Sequence, residues 1–259
     1  MYYGEQTSNA IPNLTGKVVV VPIGSLEQHG HHLPLLTDSL IGGEIVRRAE
    51  AELGDLAVFL PMLWAGASDH HLGLPGAVSV SNDHYTHLLM DIVESLIKHG
   101  FRRILLLNSH GGNGGPGGNA LYQVQLKHAA ERDLFLVLGS WFSLAAPQIA
   151  QIEALEQKAV THACELETSM ILSTRPELVR LADARGAHFH YDSAFWTPDS
   201  SGPSRVQVVR MFHQYTRTGA LGYPEKATAE KGEALYTVAT REVVALIREM
   251  AGWQPVEPN

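Results

Sequence analysis

The sequence predicts an α/β fold, a mostly parallel central sheet with helices on both faces, and three observations carry that expectation. Four short apolar runs recur, "KVVVVPIG" (17–24), "LAVFLPML" (56–63), "RRILLLNS" (102–109) and "LFLVLGS" (134–140). None alternates polar with apolar, as suits parallel strands covered on both sides. Helical patterns lie between them, and strand–helix alternation favours right-handed βαβ units.

Taken in order, the first run leads through a histidine-rich stretch to "SLIGGEIVRRAEAEL" (39–53). There Leu40, Ile41, Ile45, Val46, Ala49 and Leu53 share one helical face. After the second run, "NDHYTHLLMDIVESLIKHG" (82–100) predicts a helix that ends on a glycine suited to a C-cap. "GGPGGNALYQVQLKHAAE" reads as a glycine-rich turn entering a helix, and "THACELETSMILSTRPEL" as a helix stopped just before Pro176. The last long helix is expected from about Lys226 to Met250. Residues 186–204, aromatic and non-periodic, predict an irregular excursion near a pocket. With no internal repeat, residues 1–259 are expected to form a single domain.

The chain has 259 residues, 45% of them apolar and 18% charged, with a formal charge of −8. An acidic chain without a basic cluster lacks the footprint for nucleic acid or anionic membrane, so small molecules or further copies of itself are the expected partners. One cysteine, Cys164, excludes an intrachain disulfide and any Cys-rich zinc site, and points to a reducing compartment. No run approaches the roughly 18 apolar residues of a membrane span, and the N-terminal stretch lacks the basic and apolar regions of a signal peptide. A cytoplasmic location is expected.

In open α/β sheets ligands gather beyond the carboxyl ends of the strands. After the first run come Glu27, His29 and Asp38, and after the third comes His110. All four side chains should emerge on one rim. Imidazole and carboxylate together suit Zn²⁺, Mn²⁺ or Fe²⁺, and Asp38 is placed to bridge two ions. It could instead serve only as a helix N-cap. The histidines could be surface residues, or serve assembly only. Their concurrence after separate strands favours a site, because buried imidazoles and carboxylates need partners. "NSHGGNGGPGGN" (108–119) also allows a phosphate cradle, but it fits neither nucleotide-binding glycine pattern in place. In "THACELETS" (161–169) a helical reading puts His162 and Glu165 on one face and turns Glu167 away. Cys164 there reads as a packed residue rather than a nucleophile.

The pieces "PIGSLEQHGHHLPLLTD", "GLPGAVSV", "NSHGGN", "THACELETS" and "TGALGYPEKATAEKGE" together resemble the creatininase (creatinine amidohydrolase) family. The resemblance implies a three-layer α/β/α domain, often hexameric, with two divalent ions that hydrolyse a C–N bond. It implies Glu27, Asp38 and His110 as ligands of one metal, and His29 with Asp38 as ligands of the other. His32 matches a family histidine that is not a direct ligand, and His31 sits at a variable position. Creatininase completes its second site with a glutamate where this chain has Gly112, and Glu165 is the expected replacement. His162 matches the histidine that protonates the leaving nitrogen. Ser68 and Gly111 fall at substrate-contacting positions, and Gly111 replaces a tyrosine, which argues against creatinine as substrate.

The expected reaction is attack on a carbonyl by water activated between two ions bridged by Asp38. The substrate is expected to be a small polar amide, cyclic amide or formamide. Ring opening of an inosose-like ketone is the alternative within the same chemistry. A non-catalytic metal- or nucleotide-binding module is the alternative outside it.

Overall fold

A computed structural model describes residues 1–188, 193–197 and 204–255. Parts of the 186–204 segment therefore lie outside the described residues. The four apolar runs form β1 (Val18–Ile23), β2 (Ala57–Phe59), β3 (Arg103–Asn108) and β4 (Phe135–Ser140), all parallel, in the order β2-β1-β3-β4. β1 and β3 pair along their whole lengths, from Val18 opposite Arg103 to Ile23 opposite Asn108. Their carboxyl ends thus deliver the segments that follow them to one point on the rim.

The long helices are α1 (Thr37–Leu53), α2 (Asn82–Lys98), α3 (Gly114–Lys127), α6 (Glu165–Thr174) and α7 (Ala229–Gly252). Two single turns, α4 (Trp141–Leu144) and α5 (Ala146–Ile149), follow β4. Successive strand residues feed opposite layers, as a pleated strand requires. Val18, Val20, Leu105 and Leu107 pack with α1, α6 and α7. Val19, Val21, Ile104 and Leu106 pack with α2 and α3. With a buried layer on each side, no strand position needed to be polar, which is why the apolar runs are continuous.

Several boundaries differ from expectation for local reasons. α2 stops at Lys98, and Gly100 takes φ +97, where its N–H and that of Phe101 close the helix onto Ile97 and Leu96. The glycines at 114, 115, 117 and 118 are already helical, so the chain turns earlier, at the short 3-10 turn Gly111–Asn113. α7 starts at Ala229 because the Thr228 side chain accepts from the Lys231 N–H. The largest departure is α6. It begins at Glu165 instead of near Thr161, so His162 precedes the helix.

Candidate metal centre

β1 ends at Ile23, and the chain then crosses the rim as "GSLEQHG" before entering α1. Asp38 lies in the first turn of α1, where the amide dipoles favour an anion. It caps nothing. Its Oδ1 lies 3.1 Å from His29 Nε2, and its Oδ2 lies 3.0 Å from His110 Nδ1. Ser25 Oγ donates to Oδ2 at 2.7 Å. Each carboxylate oxygen thus faces a different imidazole, and Glu27, Asp38 and His110 offer ligand atoms that converge on one point.

His110 follows β3 and is braced by Asn108, whose Nδ2 donates to the His110 carbonyl and whose Oδ1 accepts from its N–H. The other ring nitrogen of each of these histidines is tied to a backbone carbonyl. His29 Nδ1 donates to Glu27 O at 3.2 Å, and His110 Nε2 donates to Ala67 O at 3.1 Å. That is the arrangement that orients an imidazole as a metal ligand.

Glu165 and Glu167 exchange the places expected for them. Ala163 takes φ +48, a left-handed turn unusual for a side-chain-bearing residue, between His162 and the start of α6. Because that turn is not helical, the spacing rule that paired His162 with Glu165 does not apply. Glu165 points away from the rim and accepts from Lys231 Nζ at 2.6 Å and from the N–H groups of Glu156 and Gln157. Among the described residues it belongs to none of the groups of potential ligand atoms. Glu167 instead converges with His29 and His162.

Gly112 could not take over a ligand's role. A Cβ there would lie 2.1 Å from Ala67 O and 2.5 Å from His110 Nε2. At Gly111 the same test meets nothing, and Gly111 lines the cavity. Ser68 is buried with Oγ 3.3 Å from His110 Nε2, against that imidazole rather than on the cavity wall. His32 is buried and shares a hydrogen bond of 2.9 Å with Thr168 Oγ1, bracing α6 from beneath. His31 is exposed.

The electrostatics of this cluster suit divalent ions. Glu27 has two buried oxygens without an aligned donor, and Glu167 has one. Among the described residues, no Lys or Arg lines the cavity that holds Glu27, Asp38 and Glu167. Three buried carboxylates without a fixed cation are costly, and divalent ions would neutralise them. Burial penalises charge on His29, but Asp38 outweighs it and holds the imidazolium up to about 9. Burial and then His29 act on Asp38 in opposite senses, and the imidazoles keep its carboxyl well below the usual range. Burial lifts Glu167 to about 7. His29 and Glu167 therefore hold protons where ions would fit.

Sequence reasoning missed several cavity residues, His71 and Phe212 foremost. His71 sits on the turn after β2, 3.2 Å from Glu27 Oε1. The strand-end rule applies to β2 as well and would have found it. Phe212 stacks on His71 at 4.1 Å and meets His162 edge-on at 4.6 Å. It arrives from a remote irregular segment that no local pattern marks. The cavity is about 320 Å³, with Phe142, Val160 and Leu221 forming the rest of its apolar side. Cys164 is buried, and burial pushes its thiol up to about 12, so it packs rather than reacts. Among the described residues, no helix is long and apolar enough to cross a membrane.

The family model for creatininase, described as creatinine amidohydrolase, matches residues 4–247. The mycofactocin precursor peptide peptidase of Mycobacterium tuberculosis is 30% identical over 264 residues, 97% of this chain and 91% of its own. The creatinine amidohydrolase of Pseudomonas putida is 28% identical over 247 residues, 90% and 89% of the two chains. The solved structure "Creatininase Mn" superposes with a TM-score of 0.78 at 25% identity, over 97% of this chain and 99% of that one.

Proposed function

We propose that this chain, which belongs to the creatininase family, is a metal-dependent hydrolase that uses two divalent ions to cleave a C–N bond in a small polar amide. Residues 1–259 act in this reading as one domain. The observation that carries it is Asp38, whose two oxygens face His29 and His110 from one buried carboxylate. Glu27, Asp38 and His110 would hold one ion, and His29, Asp38 and Glu167 the other. Glu167 takes in this reading the part that the family resemblance implies for Glu165. Zinc, manganese and iron all suit this donor set, and manganese is named for one structural relative.

Bound ions would supply Lewis acidity, acidifying water and polarising a carbonyl. The residues of the chain do the rest. His162 Nε2 donates to the Gln28 carbonyl at 2.7 Å, which leaves Nδ1 as the nitrogen able to take and return a proton. Burial, reinforced by His29, holds His162 well below its usual range, so it is neutral at pH 7 and suited to accept a proton first. Phe212 and Phe142 wall off the apolar side of the cavity and exclude water from the group attached to the carbonyl. No Lys or Arg among the described lining residues waits for a phosphate, which favours an uncharged substrate.

The test is hydrolysis of N-formyl amides, short peptide amides, creatinine and an inosose by protein reconstituted with Zn²⁺, Mn²⁺ or Fe²⁺. Cleavage of an amide that stops on chelation supports the reading. A protein that takes up no divalent ion overturns it.

A further inference from the structure

Four imidazoles, His29, His71, His110 and His162, belong to the groups of potential ligand atoms among the described residues, and they are anchored in two different ways. His29, His110 and His162 each give an N–H to a backbone carbonyl, of Glu27, Ala67 and Gln28 respectively. A neutral imidazole has one N–H, so His162 presents a lone pair from its other nitrogen, and His29 and His110 would do so once the proton that Asp38 holds on them is displaced. His71 differs. Its Nδ1 lies 2.9 Å from the side-chain amide nitrogen of Gln28, which can only donate.

The orientation of that amide is fixed by the main chain. Gln28 Oε1 accepts from the Gly30 N–H at 3.0 Å, and Gln28 Nε2 donates to Gly219 O at 3.3 Å. Flipping the amide would set oxygen against oxygen at Gly219 and a donor against a donor at Gly30. Gly219 leaves the space that this amide occupies, because a Cβ there would fall 1.7 Å from Oε1. The same Nε2 lies 3.1 Å from His162 Nε2. The proton of that nitrogen is committed to the Gln28 carbonyl, since a lone pair could not face the carbonyl oxygen at 2.7 Å.

We propose that Gln28 is a positioning residue that fixes the tautomer of His71, with the proton on Nε2, the nitrogen 3.2 Å from Glu27 Oε1, and thereby keeps His71 out of the metal-ligand set. Geometric convergence alone would have admitted it, because Glu27, His71 and His162 form a third group of potential ligands. One glutamine thus sets two opposite polarities. His71 holds its proton on Nε2, and His162 offers a lone pair. The inference rests on the hydrolase reading for its purpose, but its evidence is a tautomer that can be read with or without metal.

The experiment is ¹⁵N NMR of imidazole-labelled protein, metal-free and zinc-loaded, with His71 assigned through His71→Gln. The expected spectrum has the His71 proton on Nε2 and a pyridine-like Nδ1 in both states, while His29 and His110 move on zinc addition. In Gln28→Glu the pattern inverts, because a carboxylate must receive a proton from Nδ1. If that variant does not fold, Gln28→Met, which neither donates nor accepts, should leave both tautomers populated. His71→Gln should weaken zinc binding by no more than about tenfold, the lower end of losses for residues outside the coordination sphere. A His71 that is deprotonated at Nε2, or whose Nε2 shifts with zinc as the ligands do, overturns the proposal. If no zinc binds at all, the hydrolase reading fails, while the metal-free spectrum still decides the tautomer.

Discussion

Glu165 and Glu167 stand two residues apart in the first turn of α6, both buried, and they meet opposite surroundings. Glu165 is satisfied from every side: a lysine and two backbone N–H groups converge on it. Glu167 lies with His29 and His162, retains an oxygen without a donor, and is lifted by burial to about 7. Complete satisfaction marks a group that holds the fold together. An unsatisfied buried carboxylate beside imidazoles marks a place for an ion.

The sharpest way to break the comparison is at the shared centre. Asp38→Ala should remove metal and activity together, with a loss well beyond the roughly 100-fold seen when only a ligand's supporting partner is removed; metal analysis and turnover check it. His162→Ala should keep the metal while turnover falls about 10²–10⁴-fold, the usual reach of a proton-handling residue.

Glu165→Gln should act on stability instead. Leaving Lys231 without its partner should cost about 3–5 kcal/mol in denaturant melts, with metal content unchanged. A Glu165→Met, Lys231→Met double variant should recover most of that loss, because the desolvation cost of the pair leaves with it. If Glu165→Gln loses metal at wild-type stability, the two glutamates have been assigned the wrong way round.

A smaller effect concerns protons. Asp38 holds His29 protonated up to about pH 9, and a ligand imidazole must be neutral, so metal and proton compete for the same nitrogen. Affinity should therefore rise with pH from neutrality toward about 9, and loading at pH 7 should release protons. Calorimetry in buffers of different ionisation enthalpy measures that release. A metal affinity indifferent to pH in this range would mean that His29 is not a ligand.

The sheet was legible because strands buried on both faces leave a continuous apolar signature, and all four runs became strands. Glu27, His29, Asp38 and His110 were legible as a group because each follows the end of a strand. The helical pairing of His162 with Glu165 failed where periodicity was extended across a turn. Ala163 carries no Gly or Pro warning, so nothing local announced that the helix starts three residues after His162. Phe212 was illegible for another reason, since its role depends on a long-range path that brings it onto His71 and His162.

The central claim is that two ions are held by a set that includes Glu167 and excludes Glu165. Metal content per chain, measured on the wild type, Glu167→Gln and Glu165→Gln after identical loading and desalting, tests it most directly. The account predicts about two ions, about one and about two, following the two sets of ligands that share Asp38. Equal content in the wild type and Glu167→Gln, or a loss confined to Glu165→Gln, would contradict it.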